Sequence, residues 1–186
     1  MSLLPLIEWL ASTRWSIALH ESLYLYPLIE STHVLTLGLF VGLTVMLDLR
    51  LLGLAMRRVP VSDATARLLP WTKAGFVVMV VTGALLFYAI PVRTYQNIFF
   101  RLKVTMLVLA GVNVWLFHSR VERRVAEWDM ADVAPRAARV AALVSLVLWA
   151  GIVVAGRMIA YNWFDCDIQP QPDFINWVSG CVVPKD

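Results

Sequence analysis

Four long apolar stretches separated by short polar segments dominate the chain. They predict helices over about 27–52, 71–90, 98–117 and 140–161, each near the ~20 residues needed to cross a hydrocarbon core. The first stretch differs from the others. Tyr26, Glu30, His33, Leu37, Val41, Thr44 and Asp48 recur along it at alternating spacings of three and four, so they share one helix face. Five of these seven residues are polar or ionisable. A charged group at the bilayer centre costs at least ~2.5 kcal/mol. This face is therefore expected to look into a protein interior, and Glu30 and His33 become the leading functional candidates.

The flanks read differently. Residues 1–25 are apolar but interrupted by Pro5, Glu8, Arg14, His20 and Glu21, with tryptophans and tyrosines suited to the headgroup level. They predict one or two short helices lying in the membrane interface. The first residues lack a basic region, and Glu8 breaks the apolar run, so no cleavable signal peptide is expected. The third segment, 162–186, is polar and Pro-containing and holds both cysteines, Cys166 and Cys181.

Composition fixes the class and charge suggests the orientation. The chain is 60% hydrophobic, with a mean hydropathy of +0.71. It reads as an all-α integral membrane protein with the lipid bilayer as its solvent and a four-helix transmembrane bundle over 26–161. The formal charge is only +3, and the arginines cluster. One loop region holds Arg50, Arg57, Arg58 and Arg67, and another holds Arg120, Arg123, Arg124, Arg136 and Arg139. Such clustering reports topology, and no nucleic-acid partner is expected. The positive-inside rule places both basic loops in the cytoplasm and both termini outside. An outer tail lies in an oxidising compartment, which predicts a Cys166–Cys181 disulfide. No Walker loop, dinucleotide fingerprint, nucleophile elbow or HExxH motif occurs, which argues against soluble-enzyme chemistry.

Counting depth at 1.5 Å per residue brings distant residues to one level. His33 is expected roughly 10 Å below the outer end of the first span, Lys103 roughly 8 Å below the outer surface, and Arg157 about as deep, with Tyr161 above it. Glu30, His33, Lys103, Arg157 and Tyr161 thus form an outer-half polar layer. In the plainest reading Glu30 pairs with Lys103 or Arg157. Two cations against one carboxylate leave surplus positive charge, which suits haem propionates, a quinone carbonyl or another anion. His118 is expected at the opposite end, roughly 20 Å from His33, too far to share one iron. Candidate partners for His33 on a metal are then His20, if the N-terminal segment folds back, and Met158 through its thioether. Asp48 is expected to pair with Lys73 or Arg50. The glycines along the spans, among them Gly38, Gly42, Gly83 and Gly156, allow close helix packing or room for a flat macrocycle.

Several motifs together resemble an uncharacterised family of small bacterial four-helix membrane proteins. These are Glu30-x-x-His33, the D-L-R-L-L-G run from Asp48 to Gly53, Thr82-Gly83, the F-R-L-K run ending at Lys103, Asn113 with Phe117-His118, and Gly156-Arg157. A lysine early in one span with a histidine at its end is distantly similar to the copper-resistance D-type membrane proteins and to the membrane protoporphyrinogen oxidase family. That resemblance implies a bacterial inner-membrane location and haem b on a transmembrane histidine, here His33. The expected function is a small b-type haem- or quinone-binding electron-transfer protein. One alternative is a non-catalytic subunit of a larger membrane oxidoreductase complex or a homo-oligomer. Another is a metal-binding protein using Glu30, His33 and His20, with His118 and Met158 as further candidate ligands.

Overall fold

The computed structural model describes residues 3–161 and 163–181, excluding the side chains of Glu122 and Arg124. These residues form helices and connections, with no strand among them. Two short helices open the chain, α1 (Leu4–Ala11) and α2 (Arg14–His20). Four long helices follow: α3 (Leu25–Leu51), α4 (Val61–Ala89), α6 (Ile98–Arg120) and α7 (Arg136–Met158). All four are long and apolar enough to cross a membrane. The short helix α5 (Pro91–Tyr95) links α4 to α6, a 3₁₀ turn (Glu122–Glu127) follows α6, and α8 (Asp173–Ser179) lies in the tail.

The second long helix starts at Val61, ten residues before the expected boundary at Trp71, and contains Pro70. Proline removes one backbone hydrogen bond and usually marks a helix boundary. Here the polar segment before it is capped from a distant loop. The Asp129 carboxylate accepts from the Ser62 amide at 2.8 Å and the Ser62 hydroxyl at 2.6 Å. The Asp129 carbonyl accepts from the Val61 amide at 3.2 Å. These bonds satisfy the free donors of the first turn, as a local N-cap residue would.

Contacts divide the chain into two compact units that cut across the long helices. The first comprises Met1–His33, Val80–Thr105 and Val153–Asp186. In it α1 packs on α5. Thr13 caps α2 by accepting from the Ser16 amide and lies 2.7 Å from the Tyr88 hydroxyl. Ser16 donates to the Tyr88 carbonyl at 2.7 Å. The tail is closed on itself once and tied to the rest of the unit at two points. Cys166 and Cys181 are disulfide-bonded, as the sequence predicted. Asp165 is buried and accepts from Arg93 Nε at 2.8 Å and Asn97 Nδ2 at 3.1 Å. Arg101 donates to the carbonyls of Val178 and Ser179 at the end of α8.

The second unit comprises Val34–Met79 and Met106–Ile152. It holds two apolar clusters. One gathers Leu51, Val61, Ala134, Ala138 and Ala142, with Phe117 and Trp128 packed on them. The other joins Phe40, Ala110, Trp149 and Ile152, with Phe40 and Trp149 edge to face at 4.7 Å. Two glycines earn their place here. A Cβ at Gly151 would sit 2.7 Å from Met106 Sδ, and one at Gly75 would sit 3.4 Å from Phe40 Cβ. A Cβ at Gly38 or Gly42 would meet no described atom within 4 Å, so close packing among the described residues does not require glycine at that pair.

Arg50 is 1% exposed and holds the loops of this unit together. It donates to the carbonyls of Val59 at 2.7 Å, Asp129 at 3.3 Å and Ala131 at 3.2 Å. The expected pairing of Asp48 with Arg50 or Lys73 is absent. A guanidinium fork fits several carbonyls at once, and this one is taken by the loops.

Candidate functional site

Most of the residues singled out in the sequence fall in the first unit. His33 is half-buried in α3, and its Nδ1 lies 2.8 Å from Thr82 Oγ1 of α4. Thr82 itself is buried. Gly83 follows it, and a Cβ there would stand 3.3 Å from His33 Cε1. The imidazole therefore lies across a glycine, fixed by the hydroxyl of the preceding residue. With Nδ1 engaged, Nε2 is the ring nitrogen open to a ligand.

Lys103 projects from α6 and is half-buried. Its Nζ would lie 3.5 Å from a Cβ at Gly156 of α7, so a second glycine makes room for the second functional side chain. Its charge reaches His33 electrostatically. Among the described residues no carboxylate pairs with it. Glu30 is exposed and its charge reaches Tyr26, and the expected ion pair of Glu30 with Lys103 or Arg157 is not formed among the described residues. Arg157 is exposed and stacks over the Tyr161 ring at 5.3 Å, donating to its hydroxyl at 3.3 Å.

The remaining candidates are dispersed. His20 is exposed, with its ring edge-on to Tyr26 at 6.2 Å. Met158 ends α7 in the first unit. His118 is exposed in the last turn of α6, in the second unit. Among the described residues no three His, Cys, Asp or Glu side chains gather as a metal site.

Sequence reasoning attached no role to Thr82, although it was visible beside Gly83 as part of a motif. Threonine is common in apolar helices, where its hydroxyl can bond the preceding turn, so nothing in the pattern marked it as the partner of His33. Asp165 and Asn97 left no signal either, because their pairing depends on how the tail folds back. Among the described residues, the arrangement offers one oriented imidazole nitrogen and one cation without a carboxylate partner, the two within electrostatic reach. That combination suits a ligand carrying oxygen atoms or negative charge.

No curated protein and no solved structure matches the chain. A family model does match, over residues 21–162, which takes in all four long helices together with His33, Lys103 and Arg157. The chain belongs to the DUF6644 family, a family of unknown function.

Proposed function

We propose that the chain is a small membrane electron-transfer protein that holds b-type haem at His33 and Lys103. The supporting observation is the half-buried Lys103 ammonium, beside Gly156 and without a carboxylate partner, within reach of an imidazole whose Nε2 is open. A cation without a carboxylate partner in an apolar helix is unfavourable, the more so the deeper it lies in hydrocarbon. A haem propionate removes that cost, and Arg157 beside Tyr161 suits the second propionate. His33 would hold the haem iron through its Nε2, with Thr82 fixing the ring through the other nitrogen. Met158, in the same unit, would be a further candidate ligand. When bound, haem supplies the one-electron chemistry, and the protein sets its ligand, dielectric and access.

Placement follows from the arginines. In this reading the four long helices cross a bacterial inner membrane, the basic loops lie in the cytoplasm, and both termini lie outside.

A quinone is the second reading, favoured by the imidazole of His33 and the ammonium of Lys103 lying within electrostatic reach of each other. His33 Nε2 and Lys103 Nζ would both donate to a quinone carbonyl. The deciding experiment is a reduced-minus-oxidised absorption spectrum of detergent-purified protein, with quinone extraction from the same sample. A Soret band with reduced α and β bands, lost in H33A while membrane insertion persists, is the expected result. A colourless protein carrying stoichiometric quinone, lost in both H33A and K103M, establishes the second reading. A colourless protein without quinone overturns both.

A further inference from the structure

The second unit contains a buried carboxyl that the redox reading does not use. Asp48 sits in the last turn of α3, is 6% exposed, and lies against the equally buried Ser145 of α7, which is hydrogen-bonded to the carboxyl. Its Oδ2 is buried with no hydrogen-bond partner. A carboxylate so placed would be an uncompensated buried charge, far costlier than a buried carboxylic acid.

Among the described residues, the charged groups on the elements around Asp48 make no ion pair with it. Arg50, two residues along the same helix, directs Nε and Nη2 to backbone carbonyls, and its buried Nη1 hydrogen-bonds neither Asp48 nor any other described group. On α7 the group facing Asp48 is the uncharged Ser145, while Arg136 and Arg139 are exposed. On α4, Asp63, Arg67 and Lys73 are exposed, and on α6 so are His118 and Arg120. No ion pair reaches Asp48 among the described residues.

We propose that Asp48 is a proton-binding site, taking a proton on Oδ2 and holding it as a neutral acid against Ser145. Protonation adds one H⁺ to the carboxylate and changes no other bond. The unit thereby carries a group that gains or loses one proton within a membrane-crossing segment, where an ionisable residue is a functional candidate by default. The site is independent of whatever His33 and Lys103 hold.

Dicyclohexylcarbodiimide tests this, because it is apolar and reacts with protonated carboxyls in dry surroundings. The acid proton passes to a carbodiimide nitrogen and the carboxyl oxygen bonds to its central carbon, so the whole reagent adds with no leaving group. Purified protein in detergent is treated with the reagent, digested and read by mass spectrometry. The expected result is an adduct on Asp48 in preference to the exposed Asp63 and Glu30. It should decline as the pH is raised, vanish in D48N and return in D48E. Should D48N fail to fold, the wild-type adduct and its pH dependence still decide. Adducts on Asp63 or Glu30 with none on Asp48 overturn the proposal. So does protection of Asp48 by sodium ions at constant pH, which would mark a metal-cation site.

Discussion

At the scale of single residues, the hydroxyl of Thr82 carries the sharpest consequence for the site. Replacing it with valine keeps the shape and removes the group that fixes the His33 ring. Loss of such an outer partner typically weakens ligand affinity roughly ten- to a hundredfold. On the proposed haem reading, T82V should therefore lose haem on dilution while unfolding at nearly the wild-type temperature, as read by haem content beside thermal melting. His33 and Lys103 were legible in the sequence because ionisable groups stand out against hydrocarbon. Thr82 was not, because threonine is unremarkable there. Asp129 makes a separate prediction. The Ser62 hydroxyl and amide, donating to it, hold its carboxyl below the ordinary value of 3.8. A depressed folded value gives stability that is present above 3.8 and lost as the pH falls through the lower folded value. Acid melting of the start of α4 should follow that window in wild type and flatten in D129N, measured by hydrogen exchange in the segment after Val61.

At the scale of elements, legibility followed length. The four long helices were readable because ~20 apolar residues in a row have few alternative fates. The helices α5 and α8 were not anticipated, since five and seven residues are too few for a periodic pattern. Pro70 misplaced the start of α4 because the cap that keeps the preceding turns helical comes from Asp129, far along the chain. The end of α8 rests on local chemistry and tertiary contact together. Gly180 has φ +70°, and the Cys181 amide reaches back to the Asn176 carbonyl at 2.9 Å. A Cβ at Gly180 would lie 3.1 Å from Arg101 Nη2, the nitrogen that donates to Ser179. G180A thus strains the backbone, at about 1–2 kcal/mol for a side chain in the left-handed region, and also pushes on the Arg101 clamp. Faster proteolysis of the tail, with the four long helices still protected, is the expected outcome. Unchanged cleavage would mean that the clamp does not secure α8.

At the scale of the whole molecule, charge and sulfur chemistry bear on one question from independent directions. Arginine clusters follow α3 and α6, and both lead to the same side of a membrane if the helices cross in succession. The other side then receives the connection through α5 and the tail, where Cys166 and Cys181 are bonded. Disulfides persist outside the cytoplasm and are rare within it. The two signals need not agree, since the arginines act during insertion and the cysteines after folding. Their agreement makes a joint prediction. In intact cells whose outer envelope has been made permeable, a membrane-impermeant reductant followed by an impermeant maleimide should label Cys166 and Cys181. A cysteine placed at exposed Arg58 should label only after the inner membrane is broken. Labelling of the Arg58 position in intact cells, with the tail protected, would invert the orientation. Moving basic residues from the loop after α3 to the short link at Arg93 should weaken the bias and leave some of the tail inside, where its cysteines would be found reduced.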